Sequence, residues 1–261
     1  MTCANTPKIS RMRSVTWSVL GALVLLGACT PLQPQNDQDQ TSLRASALRA
    51  AAVACKEEPS PTDNVALGGI EQTLRNDKAH AALAQLDALG NTLPQAQLLK
   101  AEALRRIGRT TESKKHYERL LNSCLAGQAH HGLGLLLTAT GEPIKSLSHL
   151  QSARDLLPTD ASIRNDLGYA FLLRRDMEAA RFELMTSVQL SPDLIKARHN
   201  LYLLAALEKQ DGVMQSMAGQ WAFDAGTEAR LKEAARRLQQ ISEASTSALV
   251  APATPPSQPK P

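Results

Sequence analysis

The sequence predicts an all-α fold, a solenoid of helix-turn-helix pairs, on three observations. The stretch Ala161 to Leu194 carries apolar or small residues at Leu167, Gly168, Phe171, Ala180, Leu184, Ser187 and Pro192. The same skeleton stands 34 positions earlier without a gap, at Leu133, Gly134, Leu137, Ser146, Leu150, Ala153 and Pro158. Within a copy the spacing is helical: Leu167 and Phe171, four apart, share one face, and Pro158 and Pro192 set where each second helix ends.

A repeat of this length built on a Leu-Gly step resembles the tetratricopeptide (TPR) helix-turn-helix unit. About 4 to 5 units are expected over residues 63–241, the terminal ones degenerate. The first pairs Val65–Leu74 with Lys78–Leu89 through a turn at Asn76-Asp77, closed by Gly90-Asn91. A second, Pro94–Ala126, aligns on Gly108 with Ala101, Leu104, Ser113, Tyr117 and Leu120 in place. It is one residue short and has Lys100 where the better copies have Leu. Gly127–Asp160 and Ala161–Leu194 are the regular copies. Ile195–Glu228 starts with Ala197, Leu201 and Leu204 and loses the pattern after Asp211-Gly212. Thr227–Gln240 reads as an amphipathic capping helix with Thr227 as N-cap, Glu228 in the first turn and Arg236 and Arg237 near its end. Residues 242–261, Pro-rich, are expected to be a disordered tail.

Small residues at Gly168 and Ala180 let the two helix axes of a unit approach closely. Glu142-Pro143 starts a second helix with Pro near its first turn. Each unit leaves apolar surface that its neighbour covers, and the successive first helices form an open concave face. Arg154, Arg174 and Arg175 read as solvated positions.

The first 28 residues have the grammar of an export signal. Lys8, Arg11 and Arg13 precede an apolar run from Val15 to Ala28, and no acidic residue comes before Asp37. The run ends in Leu26-Gly27-Ala28-Cys29, which resembles the lipobox of bacterial lipoproteins. That resemblance implies that Cys29 is lipidated and becomes the first mature residue, and Thr30 in place of Asp points to the outer membrane. Residues 29–62 are then a flexible tether with one short helix, since Thr30–Gln40 is polar and Pro/Gln-rich while Leu43, Ala47, Leu48, Ala51 and Ala52 share a helical face.

Removing that signal takes away three of the 29 Lys and Arg and none of the 25 Asp and Glu, leaving 26 against 25, a net charge of +1. With aromatics at only 3%, this argues against nucleic-acid binding. Three cysteines survive: Cys29, Cys55 and Cys124. With Cys29 lipidated, Cys55 and Cys124 are an even pair for an oxidising compartment, either a disulfide or two buried thiols.

Catalytic and metal motifs are not found in the sequence. His130 and His131 are adjacent on an expected helix and diverge by about 100°, and no HExxH, CxxC or nucleophile-elbow pattern occurs. Neither an enzyme activity nor a metal or other cofactor is expected, beyond the covalent lipid on Cys29. The candidate site is the concave face. By TPR resemblance its inward positions are Gln128, His131, Leu135 and Thr138, then Ser162, Asn165, Tyr169 and Leu172, then Lys196, His199 and Leu203. A mixed polar and apolar lining suits a peptide or helix.

The segment Arg164-Asn165-Asp166-Leu167-Gly168-Tyr169-Ala170, followed by Glu178-Ala179-Ala180-Arg181-Phe182-Glu183-Leu184, is similar to the TadD-type lipoproteins of tight adherence (Tad) systems. His199-Asn200-Leu201 extends the likeness, which runs from Pro94 to about Leu207. The resemblance implies an outer-membrane, periplasm-facing, lipid-anchored assembly factor for Flp (type IVb) pili, with protein partners such as the secretin. The alternatives read from the same residues are a pilotin-like or scaffold lipoprotein of another envelope system, or an adaptor for peptidoglycan enzymes.

Overall fold

In the computed structural model, residues 59–90 and 93–250 are described, with side chains through Ile241. Eleven helices follow one another among these residues, and no strand occurs. They are α1 (Pro61–Arg75), α2 (Ala79–Leu89), α3 (Pro94–Arg106), α4 (Thr110–Leu120), α5 (Ala126–Ala139) and α6 (Pro143–Leu156). Then come α7 (Ala161–Leu173), α8 (Met177–Leu190), α9 (Ile195–Leu207), α10 (Asp211–Gln220) and α11 (Ala225–Val250). Odd-numbered helices are the first, inner helices of five pairs, and even-numbered ones the second, outer helices; α11 stands alone.

The turn inside each pair has one fixed requirement, a residue in the left-handed region. Gly108 and Gly141 meet it with φ of 78°, while Asp77, Arg175 and Lys209 adopt 59°, 62° and 57°. A non-glycine residue there costs about 1 kcal/mol. Arg175 is therefore a turn residue and not merely a solvated one. Asp160 and Asp176 cap the helices that follow them by accepting from backbone N–H groups, Ser162 and Ile163 in one case and Ala179 in the other.

Packing inside a pair is governed by one size relationship. In the two regular units an inner-helix glycine faces an outer-helix leucine. A Cβ on Gly134 would lie 2.6 Å from Leu150 Cγ, and one on Gly168 would lie 2.6 Å from Leu184 Cγ. Serines reinforce the contact: Ser113 Oγ donates to the Ala101 carbonyl at 2.8 Å, and Ser146 Oγ to the Gly134 carbonyl at 2.9 Å. In the last pair the sizes are exchanged. Tyr202 occupies the glycine position and Ala218 the leucine position, and both are buried in one cluster with Ala205 and Met214.

A second relationship links inner and outer helices nineteen residues apart. It is Gln97 with His116, His130 with His149, and Arg164 with Glu183 in three successive units. Glu183, 2% exposed, also accepts from Arg154, so α6, α7 and α8 are tied by one carboxylate between two guanidiniums at 2.7 and 2.8 Å. Arg154, expected to be a solvated position, is thus an inter-unit bridge.

The carboxyl-terminal end departs from the expected boundaries. The last helix starts at Ala225, and its cap is Asp224, whose carboxylate accepts from the Thr227 N–H at 2.6 Å. Thr227 therefore lies in the first turn and is not the N-cap. The helix continues to Val250, nine residues into the segment expected to be a tail. It packs chiefly on α9 and turns away from α10. At the other end, Pro61 and Thr62 belong to α1 and not to the tether, with Ser60 and Asp63 forming a reciprocal capping box. The signal, Cys29, the rest of the tether and residues 251–261 lie outside the described residues. Among the described residues no helix is long and apolar enough to cross a membrane.

Candidate functional site

The expected lining residues lie on α5, α7 and α9 and differ widely in exposure. Gln128, His131, Leu135 and Tyr169 are half-buried, and Ser162 and Lys196 are exposed. Leu172 and Leu203, at 1% and 4% exposure, are core: they share a cluster with Ala235 of α11, against which Ala234, Leu238 and Tyr169 also pack. Sequence periodicity assigns these leucines to the lining, whereas in the structure they are packed in the core. His199 is held against the Phe223 ring, centroids 5.2 Å apart at 74°. Burial, and then the Arg230 charge, lower its pKa. Thr138 is likewise committed, donating to the Gly134 carbonyl at 3.0 Å and contacting Ser146 Oγ at 2.6 Å.

Asn165 is also not a free lining residue. It is 2% exposed and forms the middle of a polar chain across three inner helices. His131 Nε2 on α5 donates to Asp166 Oδ2 on α7 at 2.7 Å. Asn165 Nδ2 donates to Asp166 Oδ1 at 2.9 Å, and Asn200 Nδ2 on α9 donates to Asn165 Oδ1 at 2.8 Å. This chain fixes the spacing of adjacent units. Its partners Asp166 and Asn200 escaped the sequence reading because the contacts run between units 35 residues apart, one beyond the repeat.

The side-chain carbonyl oxygens of Gln95 on α3 and Gln128 on α5 are buried with no hydrogen-bond partner among the described residues. They occupy equivalent positions on consecutive inner helices, because the second unit is one residue short. A buried acceptor left unpaired costs about 1–3 kcal/mol. Gln95 lies one unit before the residues singled out from sequence, and the equivalence to Gln128 is the signal that could have found it.

The adjacent histidines diverge as their helix requires. His131 joins the polar chain, while His130 Nδ1 meets His149 Nδ1 at 2.9 Å. Burial, and then the nearby His149, push the His130 pKa down to about 4, and burial lowers that of His149 as well. One ring must donate and the other accept, so the two rings cannot both be protonated. Among the described residues no group of three or more His, Cys, Asp or Glu is placed to hold a metal ion. Cys124 is disulfide-bonded; Cys55, its expected partner, lies outside the described residues.

The comparisons with known proteins bear on the fold. No family model matches the chain. A TPR repeat-containing protein of Pseudomonas aeruginosa is 36% identical over 136 residues, which is 52% of this chain and 55% of that protein. A thermophilic TPR protein of Thermus thermophilus, known as a crystal structure, superposes with a TM-score of 0.50 at 16% identity, covering 68% of this chain and 98% of that one. The fold is a TPR solenoid. The chain's match spans about half the length of the P. aeruginosa TPR protein. A TPR solenoid points to a protein–protein interaction role.

Proposed function

We propose that this TPR chain is a lipid-anchored assembly factor of the Tad/Flp pilus system, holding a segment of a partner protein on the open part of its concave face. The observation that carries the binding role is the pair of buried, unpartnered carbonyl oxygens of Gln95 and Gln128. Each glutamine side chain would turn outward to offer its carbonyl oxygen to a backbone N–H of the bound segment, relieving the penalty of leaving it buried and unpaired. Leu135, half-buried on the same helix as Gln128, would add apolar contact, and His131 is held by Asp166 at 2.7 Å.

The Tad assignment rests on the resemblance of Arg164–Ala170 and Glu178–Leu184 to TadD-type lipoproteins. The fold gives these residues work, since Asn165 and Asp166 join adjacent units and Arg164 pairs with buried Glu183. Anchoring rests on the lipobox-like Leu26–Cys29. Acyl chains would keep the scaffold at the outer membrane and raise its effective concentration near secretin-type partners. Deleting the gene is expected to abolish surface Flp fibres while pilin is still made; normal piliation would end the proposal. Cys29→Ser is expected to lose lipid labelling and outer-membrane fractionation while the helical spectrum is kept.

A further inference from the structure

Cys124 is disulfide-bonded, and it is the one cysteine among the described residues. The other three, Cys3, Cys29 and Cys55, all precede α1. The bond therefore joins the segment before the first helix to the turn between α4 and α5. That turn is built differently from its counterparts in the regular units. The outer helices α6 and α8 run for 14 residues, whereas α4 stops after 11, and Leu121–Leu125 turn where those helices continue. Ser123 Oγ fixes the turn, donating to the Leu120 carbonyl at 2.8 Å and accepting from the Leu125 N–H at 3.2 Å.

We infer that the partner is Cys55, and that the bond is a clasp that carries the segment before α1 across the start of α3 and fixes the tether beside the third unit. Topology brings the two sites to the same end. Helices joined by short turns alternate in direction, so the starts of α1, α3 and α5 lie together with the turn that holds Cys124. Helix α1 packs on α3, and α3 on α5. Two such steps place Ser60 about 16–20 Å from the start of α5. From Cys55 to Ser60 the chain spans at most about 17 Å, and a disulfide adds about 5–6 Å between Cα atoms. The reach suffices for a nearly extended chain, which the sequence favours. Pro59 and Pro61 restrict Glu58 and Ser60 to extended backbone, and Ser60 adopts it at φ −60° and ψ 160°. A lipidated Cys29 has no thiol to offer, and Cys3 leaves with the signal; that elimination rests on the proposed anchoring, whereas the reach does not. Closure oxidises two thiols. A disulfide oxidant takes up their two electrons and two protons and leaves as two thiols, while one S–S bond forms between Cys55 and Cys124.

The test uses the purified full chain in detergent, reduced, freed of reductant and reoxidised with oxidised glutathione. Trypsin digestion without reduction is expected to give the peptide Ala50–Lys56 linked to Leu120–Lys145, the two separating when reductant is added. Cys29→Ser is expected to give the same linkage, which separates the clasp from the lipid anchor. The oxidised chain is expected to melt about 5–15 °C above the reduced one, because the bond closes a loop over the first two units. Cys55→Ser and Cys124→Ser are expected to melt with the reduced wild type and not to respond to reductant. Cys124 linked to the peptide of Cys3 or Cys29, linked between two chains, or left as a free thiol overturns the inference. Equal melting of the oxidised and reduced wild type overturns the clasp as well.

Discussion

The middle of the array and its carboxyl-terminal end solve the same contact in opposite ways. In α5–α8 a glycine on the inner helix meets a leucine on the outer one, the axes come close, and the next unit covers both. In α9–α11 a tyrosine meets an alanine, the outer helix is short, and the last helix turns onto the inner side. Packing density can be kept by either arrangement. The difference lies in what remains uncovered: the end leaves a cleft of about 560 Å³ lined by Tyr202, Met214, Ala218 and Phe223.

The sharpest way to break this comparison is to impose the regular sizes on the end. Tyr202→Gly alone is expected to cost about 3–5 kcal/mol, since it empties the largest buried side chain of the last pair. Adding Ala218→Leu should recover part of that loss, and a double-mutant cycle by urea unfolding reads the coupling. Strict additivity of the two changes would show that the positions are not equivalent to Gly168 and Leu184.

Next in size is the polar bridge within the middle units. Glu183→Gln leaves Arg154 and Arg164 without their buried carboxylate and is expected to cost about 3 kcal/mol. The His130–His149 pair at the same place one unit earlier differs in its pH response. Its folded pKa lies below the ordinary histidine value of 6.5, near 4 for His130, so the unfolded chain binds more protons between those values. The stability contributed by neutral imidazoles is complete above pH 6.5 and is lost as pH falls toward 4. Thermal melts across that range should fall more steeply for the wild type than for His130→Gln/His149→Gln. Equal slopes would remove the pair as the cause.

The smallest expected effect is at the turns. Arg175→Gly relieves a left-handed backbone at φ 62° and should stabilise by up to about 1 kcal/mol. Gly141→Ala, at φ 78° in the preceding unit, should destabilise by a similar amount. A melt in which both changes act in the same direction would contradict the shared turn geometry.

The helix pairs are legible in the sequence because their cause is local: a 34-residue spacing of Leu, Gly, Phe and Pro positions that fold on themselves. Gly168 illustrates this, since its small size follows from the Leu184 it meets in its own unit. The site is legible only in part. Periodicity places Leu172 and Leu203 inward, but α11 lies over their cluster, and the direction of a terminal helix has no local cause. Asn165 looks like lining until Asn200 and Asp166 arrive from other positions to satisfy it. Gln95 and Gln128 are ordinary glutamines in a sequence, and only burial without a partner distinguishes them.

The central claim, that the concave face holds a partner segment through these two glutamines, is tested most directly by Gln95→Leu/Gln128→Leu. The measurement is melting temperature in parallel with surface piliation of the native host. Removing two unsatisfied acceptors should leave the melting temperature unchanged or raise it, while surface fibres are lost. A variant that folds as well as the wild type and still supports normal fibres would contradict it.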